Sequence, residues 1–109
     1  MELKDLQKMA HEIAVSKGWW DQERNVGEIF ANIHSEVSEA WAEWVKGGHE
    51  TNEIYYDGDK PEGIPIELAD TVIRILDFAE KFNFDLGESI QIKMDYNRTR
   101  AYRHGGKRA

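Results

Sequence analysis

The sequence predicts an all-α fold of four helices, and three observations support this prediction. Apolar residues recur at the 3.6-residue spacing of a helix in four segments, no segment alternates like a strand, and Gly, Pro or capping residues separate the segments. A chain of 109 residues can build one hydrophobic core and is too short for two ordinary domains. We therefore expect one helical domain over residues 1–109, resembling a four-helix bundle, with a basic tail at about 103–109.

Capping and breaking residues set the predicted helix boundaries. The four helices are predicted at about residues 2–17, from Val26 to Gly47-Gly48, from Pro65 to about Phe82, and from the residue after Asp85 to about Tyr102. Asp85 begins the last helix because it forms a capping-box pattern with Glu88, three residues on. The second and third helices are separated by a long connection with two Pro and several Gly, and connections of this length are often functional.

Composition and charge exclude several classes of function. The chain has no cysteine, which rules out disulfides, thiolate metal sites and thiol nucleophiles, so a bound metal would be a hard cation. The net charge of −7 argues against binding a nucleic-acid polymer. Acids dominate from Asp21 to Glu80 and bases from Lys93 onward, which suggests a cation or charged ligand between the two regions. No signal peptide or membrane span is visible, so a cytoplasmic protein without a membrane partner is expected.

Two pairs of carboxylates lie on neighbouring predicted helices. The first pair is at the edge of the apolar stripe of the second helix, and the other is inside the third helix, the most apolar segment. The pairs are Glu36 with Glu39, and Glu67 with Asp70. Residues three apart share a helix face, so each pair can converge on one point. A single such pair is usually a solvated acidic face, but a second pair in an apolar segment requires a partner, and the nearby Arg74 cannot balance four carboxylates. Oxygen ligands of this kind suit Mg²⁺ or Mn²⁺.

The segments EVSEAWAEW and ELAD resemble the signature of the MazG-like, all-α nucleoside triphosphate pyrophosphohydrolases, which is Glu-Glu-x-x-Glu followed by Glu-x-x-Asp on the next helix. The resemblance covers most of the chain, with Ser35 in place of the first signature Glu. It implies that the two carboxylate pairs are catalytic and bind Mg²⁺, with Mn²⁺ as a possible substitute. It also implies hydrolysis of a (deoxy)nucleoside triphosphate to a monophosphate and pyrophosphate, for nucleotide-pool cleaning, by a homodimer or homotetramer.

The same resemblance implies substrate contacts outside the carboxylates. Lys93 and Asn97 match nucleotide-contacting positions in the family's basic C-terminal segment, and the predicted fourth helix places them on one stripe with Arg100 and His104. His11 and Trp20 resemble, in spacing, a His and a Trp that enclose the base in the deoxycytidine-triphosphate branch. The other reading of these residues is a basic solvent face and a core or interface tryptophan.

Two further functions stay open at the level of sequence. One is a catalytically idle nucleotide-sensing or protein-interaction module that has kept the metal site. The other is a helical assembly protein without a ligand, whose stability would not respond to Mg²⁺.

Overall fold

A computed structural model describes residues 1–102, and its elements follow the predicted order. This part of the chain forms four helices and a two-stranded sheet: α1 Leu3–Ser16, α2 Val26–Lys46, β1 Tyr55–Asp57, β2 Lys60–Glu62, α3 Ile64–Lys81 and α4 Leu86–Thr99. The mostly helical class is therefore confirmed, while the sheet was not predicted. None of the helices in residues 1–102 is both long and apolar enough to cross a membrane. The predicted basic tail at 103–109, with His104, lies outside the described residues.

Side-chain caps begin two of the helices, and the sequence predicts the second of these caps, Asp85. At the start of α2, the Asn25 side chain accepts hydrogen bonds from the backbone N–H groups of Gly27 and Glu28, at 2.8 and 3.3 Å. At the start of α4, the Asp85 carboxylate accepts one from the backbone N–H of Glu88, at 3.1 Å. The first N–H groups of a helix have no partner within the helix, so these caps fix where each helix begins.

The fourth helix ends three residues before the predicted position. Arg100 has extended backbone angles, with φ −78° and ψ 153°, so the helix ends at Thr99. The predicted stripe of four polar residues on this helix is therefore wrong at Arg100, which does not continue the helical spacing of Lys93 and Asn97.

The third helix, α3, is the central element, as its apolar composition predicts. It packs against both α1 and α2, and the small residues Ala10, Ala40 and Ala79 are buried in these helices. Small side chains allow helix axes to approach closely, and larger neighbours fill the remaining space. Ile29 of α2 and Leu76 of α3 supply the larger buried side chains.

Gln7 is a buried polar residue that ties α1 to the turn between α3 and α4. Its side-chain amide is only 2% exposed and donates to the Glu80 carboxylate at 3.0 Å and to the Phe84 backbone carbonyl at 2.8 Å. Its side-chain oxygen accepts from the backbone N–H of Leu86 at 3.2 Å, at the first residue of α4. A buried amide is stable only when it is paired in this way, so Gln7 fixes the position of the α3–α4 turn.

The connection between α2 and α3 contains the short hairpin β1–β2, in which Tyr55 pairs with Glu62 and Asp57 pairs with Lys60. The Tyr55 hydroxyl donates a hydrogen bond to the Glu43 carboxylate and accepts one from the Lys46 ammonium group at 3.0 Å. These bonds fasten the hairpin to the last turns of α2. Strands of three residues carry too little alternation to be recognised from sequence.

Gly63 sets the direction in which the chain enters α3. Its φ of +118° is unfavourable for any side chain, and an added Cβ would overlap the backbone carbonyl of Glu53. The close approach holds the end of the hairpin segment against its beginning. As a result, the first turn of α3, which carries Glu67, has a fixed starting point.

The described residues do not close into a four-helix bundle, because α4 packs mainly on α1 and buries none of its own residues. Its Ile92 and Tyr96 side chains are more than half exposed. The radius of gyration is 16.5 Å, whereas a compact chain of this size has about 13 Å. The chain by itself is therefore extended and leaves much apolar surface uncovered.

We expect Gln7→Leu to lower the free energy of unfolding by about 2 kcal/mol, because it keeps the side-chain volume but leaves the buried partners of the amide without hydrogen bonds. Urea unfolding at fixed protein concentration measures this difference. Gln91→Leu is the matched control: Gln91 is exposed on α4 and bonds only Asp95, so we expect a change within about 0.5 kcal/mol. Equal effects of the two substitutions would contradict the role given to Gln7.

Candidate metal centre and adjoining cavity

Packing of α2 against α3 brings together three of the four predicted metal-binding carboxylates. One oxygen from each of Glu36, Glu67 and Asp70 lies within 4.8 Å of the others. Glu36 is buried, Glu67 is partly buried and Asp70 is exposed. The group therefore has an inner end between the helices and an outer end that solvent and ligands can reach.

Glu36 lies deeper than the sequence predicts. The helical period places it at the edge of the apolar stripe of α2, but in the structure it is on the buried line of that helix, with Ile29 and Ala40. Glu43, two turns after Glu36 on α2, accepts a hydrogen bond from Tyr55 of the hairpin and is not part of the group. A residue that the sequence places at the edge of the apolar stripe, Glu36, is thus buried where α2 packs against α3.

Glu39 is exposed and lies outside the group of three, but it is close enough to affect Glu67. The pKa of Glu67 is raised above its ordinary value of 4.5, first by burial and then by the charges of Glu39, Asp70 and Glu36. Like charges held together disfavour ionisation, so the group is repulsive when no cation balances it. All four predicted carboxylates therefore contribute to one region of negative potential.

Among residues 1–102, Arg74 is a cation in direct contact with this region. Its Nε atom lies 3.0 Å from Oε1 of Glu36, and the two side chains are 28% and 12% exposed. The atom is buried and has no hydrogen-bond partner within residues 1–102, because the N–H is not aligned with the Glu36 oxygen. The contact is an ion pair without the added strength of a hydrogen bond.

The three carboxylates fit a hard divalent cation. Carboxylate oxygens are preferred ligands of Mg²⁺ and Mn²⁺, and ligands of an octahedral Mg²⁺ ion at about 2.1 Å are about 3.0 Å apart when adjacent and about 4.2 Å apart when opposite. The observed spacing of up to 4.8 Å is wider, so a bound ion would draw the carboxylates together by side-chain rotation. The residues that could hold the metal are therefore Glu36, Glu67 and Asp70, with Glu39 beside them.

A cavity of about 230 Å³ adjoins the carboxylate group, between α1, α2, α3 and the loop that follows α1. Asp70 belongs to both the carboxylate group and the cavity wall. The wall also carries the aromatic rings of Trp19 and Trp20 and the guanidinium groups of Arg24 and Arg74. A ligand in this cavity would therefore meet flat apolar surfaces, two cations and one carboxylate of the group.

The predicted base-binding residues His11 and Trp20 are brought together by Asp77, which was not predicted from the sequence. Asp77 is 8% exposed, and its carboxylate is 2.8 Å from His11 Nδ1 and accepts hydrogen bonds from Trp20 Nε1 at 2.9 and 3.1 Å. Trp20 lines the cavity, and its ring centroid lies 6.1 Å from that of His11. The spacing of Asp77, two turns after Asp70 on one face of α3, is the sequence signal that could have identified it.

The other predicted substrate-binding residues, Lys93, Asn97 and Arg100, lie on or after α4 and away from the α2–α3 contact that holds the carboxylates. Lys93 and Arg100 both approach the ring of Tyr96, at 4.9 and 5.6 Å from its centroid. Within residues 1–102, no ion pair joins Lys93 to the carboxylate group. The described residues of one chain therefore do not assemble the whole predicted site.

We expect the stability of the metal-free protein to fall as pH rises through the raised pKa of Glu67, above 4.5. The sign follows because a carboxyl group whose pKa is higher in the folded state binds its proton more tightly there, and this stabilisation is lost on ionisation. Glu67→Gln should remove this part of the decline. The measurement is urea unfolding with a chelator across this pH range.

Glu12→Gln, at an exposed position of α1, is the control and should keep the pH dependence of the wild type. A Glu67→Gln variant whose stability varies with pH as steeply as the wild type would show that the carboxylates do not repel one another.

No protein-family model, curated protein or solved structure matches this chain. Function is therefore inferred from the side chains that α2 and α3 bring together and from the cavity beside them. Of the predicted site residues, Glu36, Glu67 and Asp70 meet directly, Glu39 acts on them through its charge, and His11 and Trp20 meet at Asp77.

Proposed function

We propose that the chain is a MazG-like, Mg²⁺-dependent pyrophosphohydrolase that converts (deoxy)nucleoside triphosphates to monophosphate and pyrophosphate, in nucleotide-pool cleaning. The observation that supports this most is the shared position of Asp70, in both the carboxylate group and the wall of an aromatic, cationic cavity. A nucleotide combines a flat base with a chain of phosphates, so it matches both parts.

The cavity favours the base end of a nucleotide. Its volume of about 230 Å³ is below the roughly 300–1,000 Å³ of sites that enclose a whole ligand, so it suits a part of one. The Trp20 ring is held in place by its hydrogen bonds to Asp77, which makes it a preformed stacking surface. Arg24 lies 4.7 Å from the centroid of that ring and adds positive charge to the wall.

The carboxylates supply the second half of the chemistry. A bound divalent cation supplies charge stabilisation to phosphate oxygens and to the leaving pyrophosphate. Glu36, Glu67 and Asp70 are the residues that would hold it. Glu39 is exposed beside Glu67 and outside the group of three, which supports a role for it in accepting a proton from an attacking water.

We also propose that a second copy of the chain covers an apolar face of α2. We call Val37, Trp41 and Trp44 the Trp41 face, since they share one helical stripe and are 49%, 65% and 64% exposed. Contiguous apolar surface of this kind marks an interaction site. A second copy is the occupant because the chain alone is extended and its buried core is small, as in subunits that are completed by association. The assembly is a homodimer or homotetramer.

Two observations favour the alternative of a catalytically idle nucleotide-binding module. The positively charged Arg74 side chain lies beside Glu36, the most buried of the three carboxylates. In addition, Ser35 occupies the position of the first Glu in the signature. Such a module would use the same cavity and would bind nucleotide without turnover. Product analysis therefore separates the two functions.

We expect monophosphate and pyrophosphate in equal amounts from at least one nucleoside triphosphate, with turnover abolished by a chelator. Asp70→Asn keeps the side-chain shape and removes one charge, so it should be nearly inactive and should lose most of the Mg²⁺-induced rise in melting temperature. For the wild type that rise corresponds to about 2.7 kcal/mol at a hundredfold excess of Mg²⁺ over its dissociation constant. Product separation by ion exchange and thermal melts provide the two measurements.

Asp59→Asn, at an exposed turn of the hairpin, is the matched control and should behave as the wild type in both assays. Release of orthophosphate and a diphosphate would contradict the proposed reaction, since it requires attack at the γ-phosphorus. Binding of nucleotide without any product would favour the idle module.

Replacing both Trp41 and Trp44 by Gln should shift the protein to a smaller assembly, because it removes the two most exposed aromatic rings of the Trp41 face. Size-exclusion chromatography with light scattering measures the mass. Tyr56→Gln is the control: Tyr56 is 67% exposed but lies on the hairpin, so its loss should leave the mass unchanged. A wild-type protein that is monomeric at all concentrations would rule out this interface.

A further inference from the structure

Arg74 connects the carboxylate group to the cavity. It lies one turn after Asp70 on α3 and belongs to the cavity wall, while its Nε atom is 3.0 Å from the carboxylate of Glu36. Its guanidinium carbon lies 5.0 Å from the centroid of the Trp19 ring, so the group has a second favourable contact away from the carboxylates. The side chain therefore has one partner in each of two neighbouring sites.

Arg74 can give up its contact with Glu36 to a divalent cation at a low cost in free energy. An aligned guanidinium–carboxylate pair is strong because it adds parallel hydrogen bonds to the attraction of charges, and this pair lacks that alignment. The carboxylate group has several negative charges, so one guanidinium does not neutralise it. A divalent cation placed among three carboxylates would attract Glu36 more strongly than Arg74 does, and it would also repel the guanidinium.

We propose that Arg74 is an internal counter-ion of the carboxylate group and that a divalent metal ion displaces it from Glu36. The inference rests on the proposed metal site and adds its regulation. The displaced guanidinium stays at the cavity wall on Trp19, where it adds positive charge for the anionic part of a ligand. Because each binding event then favours the other, metal and anionic ligand bind with positive coupling.

The test is a titration of the protein with Mn²⁺ in the absence of nucleotide. The electron paramagnetic resonance signal of free Mn²⁺ measures how much of the ion is bound. Arg74→Met removes the competing charge and keeps an unbranched side chain, so we expect it to bind Mn²⁺ at least about 5-fold more tightly than the wild type. Its metal-free melting temperature should fall, because Glu36 loses its partner. If Arg74 had a purely structural role, Arg74→Met would lower both the melting temperature and the Mn²⁺ affinity. A lower melting temperature together with a higher Mn²⁺ affinity therefore identifies Arg74 as the counter-ion.

Arg24→Met is the matched control. Arg24 lines the same cavity and lies 5.6 Å from the centroid of Trp19, but within residues 1–102 it forms no ion pair with the carboxylate group. We expect its Mn²⁺ affinity to equal that of the wild type. A tighter affinity in both variants would mean that any lost positive charge has this effect, and it would overturn a specific role for Arg74.

The outcomes separate this inference from the proposed metal site. If the wild type binds Mn²⁺ and Arg74→Met binds it equally or more weakly, the metal site stands and the inference is wrong. If neither protein binds Mn²⁺, both are wrong. If only Arg74→Met binds, a metal ion does not displace Arg74 in the wild type, and both the inference and the proposed Mg²⁺-dependent function are wrong.

A measurement on the wild type covers the case in which Arg74→Met does not fold. The ¹⁵N resonance of Arg74 Nε, identified by its absence from the spectrum of Arg74→Lys, should move on addition of Mg²⁺ and saturate as the ion binds. A resonance that does not move while other signals report bound Mg²⁺ would overturn the displacement of Arg74.

Discussion

The contact between α2 and α3 places a carboxylate on the buried line of a helix, and the candidate site depends on this constraint. Glu36 follows Ile29 by two turns and precedes Ala40 by one, so the packing that buries the apolar residues also buries the acid. A buried charge without a partner is strongly unfavourable. Arg74 partly balances the charge of Glu36, and the exposed Asp70 leaves the outer end of the carboxylate group open to solvent. A metal-binding site likewise needs charged ligands and an open path for the ion.

The features that the sequence predicted are local in the chain. Helix positions follow from periodicity and caps, and each carboxylate pair follows from the three-residue spacing within one helix. The features it missed join distant segments: Gln7 bonds residues more than 70 positions away, and Asp77 bonds His11 and Trp20 from 66 and 57 positions away. Such contacts depend on how the helices are arranged, which single-helix patterns do not specify.

Periodicity also does not say what covers an apolar stripe. On α2, the buried line through Ile29 and Ala40 and the exposed line through Val37 and Trp41 are one residue apart along the helix, about 100° around its axis. The two lines read as one broad apolar stripe in the sequence. The structure divides them, since one faces α3 and the other faces solvent, and the second line is where we place another copy of the chain.

Stability and the proposed function make opposite demands on different turns of α3. The first turns of α3 hold Glu67 and Asp70 in the repulsive carboxylate group. Its last turns hold Leu76 and Ala79 in the core and Glu80 in a hydrogen bond with Gln7. Residues that stabilise the helix thus lie two to four turns beyond residues that strain it. A repulsive group at one end of a helix is tolerated when packing elsewhere along the helix outweighs its cost. The Gln7 network and the repulsive carboxylates are therefore parts of one arrangement, in which the α1–α3 contact stabilises a helix whose first turns carry the cation site that we propose.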